Sequence, residues 1–186
     1  MKARLILLFF LFGCQSSEII EKTVFDNSQL EKITISGKNL EINELYESKF
    51  TDEYIDHSLT NPPILRLKSW IKDNINTFGN ENILVINILD ASLKRTEENN
   101  IDAKKFDDKI IYKYELFYLV EYNLYDDLNY LISNTTVEGF RSTTSSKYIS
   151  LQETEQIIDD LILLTLIDFT NESKKLIQIY MKEYLL

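Results

Sequence analysis

The sequence predicts an α+β fold, an antiparallel or mixed sheet of about four to five strands packed by two helices, the C-terminal one long. Three observations carry this. Residues 110–125 are apolar or aromatic at every even position, which is the period of a strand with one core face. A Pro-Pro pair opens a helical pattern near residue 62. Ser150-Leu151-Gln152-Glu153 has capping-box spacing, and no Gly or Pro follows before Leu186.

Taken in order, Ile33, Ile35, Leu40 and Ile42 alternate around Gly37, which predicts a strand pair or a bulged strand over 32–46. Thr60 or Asn61 then caps a helix over 62–78. Pro62-Pro63 sit in its first turn, Ile64, Leu67, Trp70/Ile71, Ile75 and Phe78 lie at helical spacing, and Gly79 stops it. Residues 83–89, ILVINIL, read as a short central strand covered on both faces.

The even positions Ile110, Tyr112, Tyr114, Leu116, Tyr118, Val120, Tyr122 and Leu124 predict a long strand. Asp126-Asp127-Leu128-Asn129 supplies a turn, and 130–141 returns as the antiparallel partner. Arg141 to Ser146 is polar and reads as a mobile loop, either contacting a partner or linking into the next cap. Ile157/Ile158, Leu161/Ile162, Leu164/Thr165, Leu176/Ile177, Tyr180 and Tyr184 then mark one helical face. A single helix of up to about 34 residues is allowed, with a break near Phe169-Thr170-Asn171 as the competing reading.

The N-terminus speaks of location. Lys2 and Arg4 precede an apolar run from Leu5 to Phe12, a charged n-region before an h-region. Eight residues rise about 12 Å as a helix, too little to span a membrane. Leu11-Phe12-Gly13-Cys14 resembles the bacterial lipobox, which implies cleavage between Gly13 and Cys14 and acylation of Cys14. Three acyl chains hold a protein on its membrane. Gln15 stands where lipoprotein sorting places an aspartate for inner-membrane retention, so the resemblance implies the periplasmic face of the outer membrane. The expected organisation is a signal peptide at 1–13, a lipidated cysteine and tether at 14–31, and one periplasmic domain at 32–186.

Composition limits the chemistry. Cys14 is the only cysteine, so its acylation leaves no thiol for a disulfide, a zinc site or a nucleophile. Without Lys2 and Arg4, 18 basic residues face 30 acidic ones, a charge of −12 that disfavours nucleic acid as a partner. His57 is the only histidine, and no nucleophile elbow, phosphate loop or zinc-protease motif occurs. No cofactor, no metal and no enzymatic activity are expected. Asp52, Glu53, Asp56 and His57 read as a solvated loop rather than a metal site, and Asp107-Asp108, Asp126-Asp127 and Asp159-Asp160 as turn or surface pairs. Tyr112, Tyr114, Tyr118 and Tyr122 form the one candidate site, since a stripe of rings with polar tips either fills a core or lines a lipid-sized groove.

Several stretches together resemble an uncharacterised family of mainly alphaproteobacterial envelope lipoproteins. They are EINELYESKF (41–50), His57, Pro62-Pro63, LKSWIKDNINTFG (67–79), DASLKRTE (90–97) and SLQETEQIIDDL (150–161). The family brings no activity, and it implies one domain with a long C-terminal helix. The order of elements is similar to that of auxiliary lipoproteins of envelope lipid-transport systems, while Gln15-Ser16-Ser17-Glu18 lacks the residues usual in the lipopolysaccharide-assembly lipoprotein. The resulting expectation is a lipid-anchored, non-enzymatic module that supports an envelope assembly or lipid-transport complex by protein binding. The alternative is an acyl-chain carrier with lipid held in the tyrosine-lined groove.

Overall fold

A computed structural model describes residues 32–101, 103–105 and 108–186, and the fold is α+β. The expected signal segment (1–13), the expected lipidation site at Cys14 and the expected tether (14–31) lie outside the described residues.

Chain order is β1 (Ile33–Ile35), β2 (Asn39–Glu44), α1 (Pro63–Asn74), β3 (Ile75–Thr77), β4 (Ile83–Asn99), β5 (Ile110–Tyr125), β6 (Leu131–Ser146) and α2 (Leu151–Tyr180). A mixed four-stranded sheet runs β2-β4-β5-β6, parallel only between β2 and β4. β1 and β3 form a separate parallel pair. The predicted strand pair over 32–46 therefore exists as two strands that join different sheets.

The first helix is shorter than its apolar spacing predicts. It ends at Asn74, whose amide donates to Trp70 O at 3.0 Å, and Ile75–Thr77 run extended beside Ile33–Ile35. Ile75 stays buried in both readings, but Phe78 is 75% exposed, so its place in the helical stripe was coincidental. Its N-cap is Pro62 without a side-chain cap bond, not Thr60 or Asn61.

The 83–89 segment is the start of a seventeen-residue strand. A register shift between Ile88 and Asp90 moves the inward face from Leu84, Ile86 and Ile88 to Ala91 and Leu93. A bulge inserts one residue and flips the side-chain alternation beyond it, which hides the second half of the strand from a period-two search. In its first half only one face of β4 is buried, Ile83, Val85 and Asn87 being half-exposed; past the bulge Ser92, opposite Ala91 and Leu93, is buried too.

β5 follows the predicted pattern, with even positions from Tyr114 to Leu124 buried. In the turn to β6, Asp126 Oδ1 accepts from the amides of Leu128 (2.9 Å) and Tyr130 (2.8 Å) while Asn129 takes a positive φ of 65°. β6 then continues through Ser146, so Arg141–Ser146 is strand rather than loop.

α2 is one unbroken helix of thirty residues through Phe169-Thr170-Asn171, opened by the full capping box between Ser150 and Glu153. It packs along β6, where Gly139 permits the approach: a Cβ there would stand 3.1 Å from Phe169 Cβ. The chain's last residues return to its first strand, with Ser36 N donating to Tyr184 O and Leu186 N to Thr34 O.

Candidate interaction surface

The two helices lie on one side of the four-stranded sheet. Tyr114, Tyr118 and Tyr122 point into that layer and are 1% exposed or less. Tyr118 stacks edge-on against Phe169 at 6.0 Å, and its hydroxyl donates to Pro63 O at 3.2 Å. The Tyr122 hydroxyl meets Ser173 Oγ at 3.2 Å, and Trp70 closes on Phe169 at 5.5 Å. Burial pushes both phenols well above their ordinary value. Helices α1 and α2 each receive a tyrosine tip, so no open groove runs along Tyr114, Tyr118 and Tyr122. Phe169 and Pro63 pack against Tyr118, and Trp70 against Phe169.

Tyr112 differs from the other three. It is half-exposed at the far end of the stripe, with the Arg95 guanidinium 4.8 Å from its ring centre and Lys147 Nζ at 5.8 Å. Around it opens a recess of about 470 Å³ lined by Asp52, Glu53, Arg95, Thr96, Glu97 and Tyr112. Lys147 pairs with Glu97 at 2.6 Å, and that hydrogen bond holds the Glu97 carboxyl below its ordinary value.

The segment before α1 is only partly the solvated loop its composition suggested. It runs beside β4, where Arg95 N donates to Glu53 O at 2.8 Å and Ile55 N donates to Leu93 O at 3.0 Å. Asp56 is 1% exposed; its Oδ2 accepts from the Tyr46 hydroxyl at 3.1 Å, while Oδ1 has no partner. Burial first, then the Asp56 charge, pushes the Tyr46 phenol well above its ordinary value. His57 is exposed, its ring centre 5.0 Å from that of Phe50. Among the described residues no group of three His, Cys, Asp or Glu side chains is placed to hold a metal ion.

Among the described residues no helix covers the sheet's other face. Asn43 donates to Asn87 (3.0 Å), and Glu121 Oε2 accepts from both Asn87 (2.8 Å) and Asn123 (2.7 Å), making a polar ladder across three strands. Beyond it Ser92, Phe117 and Phe140 stand in one cross-strand row, and Phe140 is 56% exposed. Tyr54, Asp90, Ser92, Lys94, Glu115, Phe117 and Phe140 line a recess of about 270 Å³ there. A hydrogen bond from Lys49 Nζ at 3.2 Å lowers the Tyr54 phenol from its ordinary value. The sequence held a signal for this surface in the odd positions of β5, which a period-two strand must present opposite its core face.

No helix among the described residues is long and apolar enough to cross a membrane. No family model matches the chain, and no curated protein is similar to it. Two solved structures share part of its outline. A minor lipoprotein from Acinetobacter baumannii is 15% identical with a TM-score of 0.42, covering 76% of this chain and 90% of its own. Rare lipoprotein B from Shewanella oneidensis is 13% identical with a TM-score of 0.39, covering 76% of this chain and 97% of its own. The alphaproteobacterial resemblance finds no support among these proteins.

Proposed function

We propose that this chain is a non-enzymatic binding module of the bacterial cell envelope, anchored by lipid on Cys14 and supporting an assembly or lipid-transport complex at the periplasmic face of the outer membrane. The observation that carries the binding role is the asymmetry of the sheet. One face is sealed by α1 and α2, while the other presents Phe140 to solvent beside a half-exposed Phe117 and a ladder of hydrogen-bonded polar side chains. An exposed aromatic within a polar surround is the composition of a protein contact. The anchor rests on Leu11-Phe12-Gly13-Cys14 alone.

Two experiments separate these elements. Labelling cells with radioactive palmitate should mark the wild-type chain and not Cys14→Ser; equal labelling sinks the anchor. A photo-crosslinking residue at Phe140 should give one discrete adduct in the envelope, and the same residue at Leu65, exposed on α1, should not. Equal, diffuse crosslinking from both sites would remove the binding face.

A further inference from the structure

β2 and β6 are the two edges of the four-stranded sheet, and they are built differently. β2 is six residues long, and past its end the chain returns to cover β4 through Glu53 and Ile55. β6 has sixteen residues, and among the described residues the backbone groups on its outer side bond no other backbone. Natural sheets blunt such edges with Lys, Pro or bulges, because an unpaired row of N–H and C=O groups templates another strand. From Ile132 to Ser146 there is no Lys and no Pro, and the register with β5 is unbroken from Ser133 to Ser146. Thr135, Thr136, Val137, Thr143 and Thr144 keep the strand extended.

α2 supplies a wall beside this edge. Phe169 lies over Gly139, and Arg141 reaches up from β6 to Asp168. Leu161, Leu164, Glu172 and Ile179 share the Asp168 flank at helical spacing, and of these Leu164 and Ile179 are exposed. The edge and the flank run side by side, as the floor and wall of a channel.

We infer that this channel takes an extended segment of a partner polypeptide, added beside β6 as a further strand. Backbone pairing recognises the segment, and the side chains select it. On the outward face Asn134, Thr136, Ser142 and Thr144 are neutral, while Glu138 is exposed and has no ion pair among the described residues. A residue opposite Glu138 in the added strand shares its face, so a Lys or Arg fits there. On the helical side, alternate residues of the segment meet Leu164 and Ile179, so apolar ones fit. The partner segment is therefore β-branched, almost uncharged and marked by one basic residue. This deepens the binding-module reading by naming the partner's chemistry, and it does not depend on the lipid.

The test uses the full chain in detergent with the octapeptide Val-Thr-Val-Lys-Val-Thr-Val-Thr, whose Lys and Val side chains fall on opposite faces of a strand, and the same octapeptide N-methylated at alternate amides. Hydrogen exchange should slow roughly tenfold or more at alternate amides of β6 with the first peptide and not with the second. Glu138→Lys should weaken the effect several-fold. Unchanged β6 exchange at saturating peptide overturns the inference, as does equal protection by the methylated peptide. So does β6 exchange that is already slow in the full chain and becomes fast only when residues 15–31 are deleted, since the edge is then occupied in cis. None of these outcomes bears on palmitate labelling, and a discrete Phe140 crosslink with unchanged β6 exchange would leave the binding module standing without the added strand.

Discussion

The helical face of the four-stranded sheet and its open face are made by the same strands, yet they use aromatic residues in opposite ways. On the helical side Tyr114, Tyr118 and Tyr122 are enclosed, and two of their hydroxyls are bonded to Pro63 and Ser173. On the open side Phe140 is exposed beside amides that bond one another across strands. A ring enclosed by neighbours stabilises the fold, whereas a ring left in water adds little to it and remains available for contact. Tyrosine richness alone therefore does not tell an enclosed ring from one left in water.

Substitutions on the two faces should separate these roles. Phe169→Ala removes the ring shared by Trp70, Tyr118 and Gly139, and should cost about 3–5 kcal/mol in urea unfolding. Gly139→Val forces a side chain against Phe169 and should cost about 1–3 kcal/mol by the same measurement. An alkaline series probes the enclosed phenols. Because folded Tyr118 and Tyr122 ionise well above the ordinary value of 10.0, their contribution is complete below that pH. It is lost as the pH climbs beyond it, where the unfolded chain gives up protons that the folded one retains. The urea midpoint should fall from pH 10 upward, and fall less steeply in Tyr122→Phe; identical slopes would contradict the enclosure. Ser150→Ala deletes the cap of α2 and should cost about 1 kcal/mol, read from the thermal midpoint. Phe140→Ser should change stability by no more than about 0.5 kcal/mol while abolishing any contact made from the open face.

Much of the fold was legible because local chemistry and tertiary packing agreed. The alternation of β5 and the Ser150–Glu153 capping box each name one structure, and both appear as read. Three segments misled for separate reasons. Ile75 fits a helical stripe as well as a strand, and only its pairing with Ile33 decides between them. The second half of β4 is disguised by the bulge after Ile88, which reverses its inward parity. Arg141–Ser146 looks like a linker because an edge strand with an open face needs few apolar residues; Thr143 and Thr144 were its only strand signal. The candidate site was less legible than the fold. Tyr112 lines a recess, but Phe140, Lys94 and the Asn87–Glu121 ladder become neighbours only once the strand register is known.

The return of Tyr184–Leu186 to β1 has a consequence in time. Ile33–Ile35 is held on one side by β3 and on the other by bonds to residues about 150 positions later in the chain. Contacts of such long sequence separation form late, because the intervening chain must first be brought to order. During synthesis from the N-terminus, β1 is made early and waits for its final partner until the last residues emerge. One side of β1 therefore stays open, its N–H and C=O groups in water, until residues 184–186 have been made.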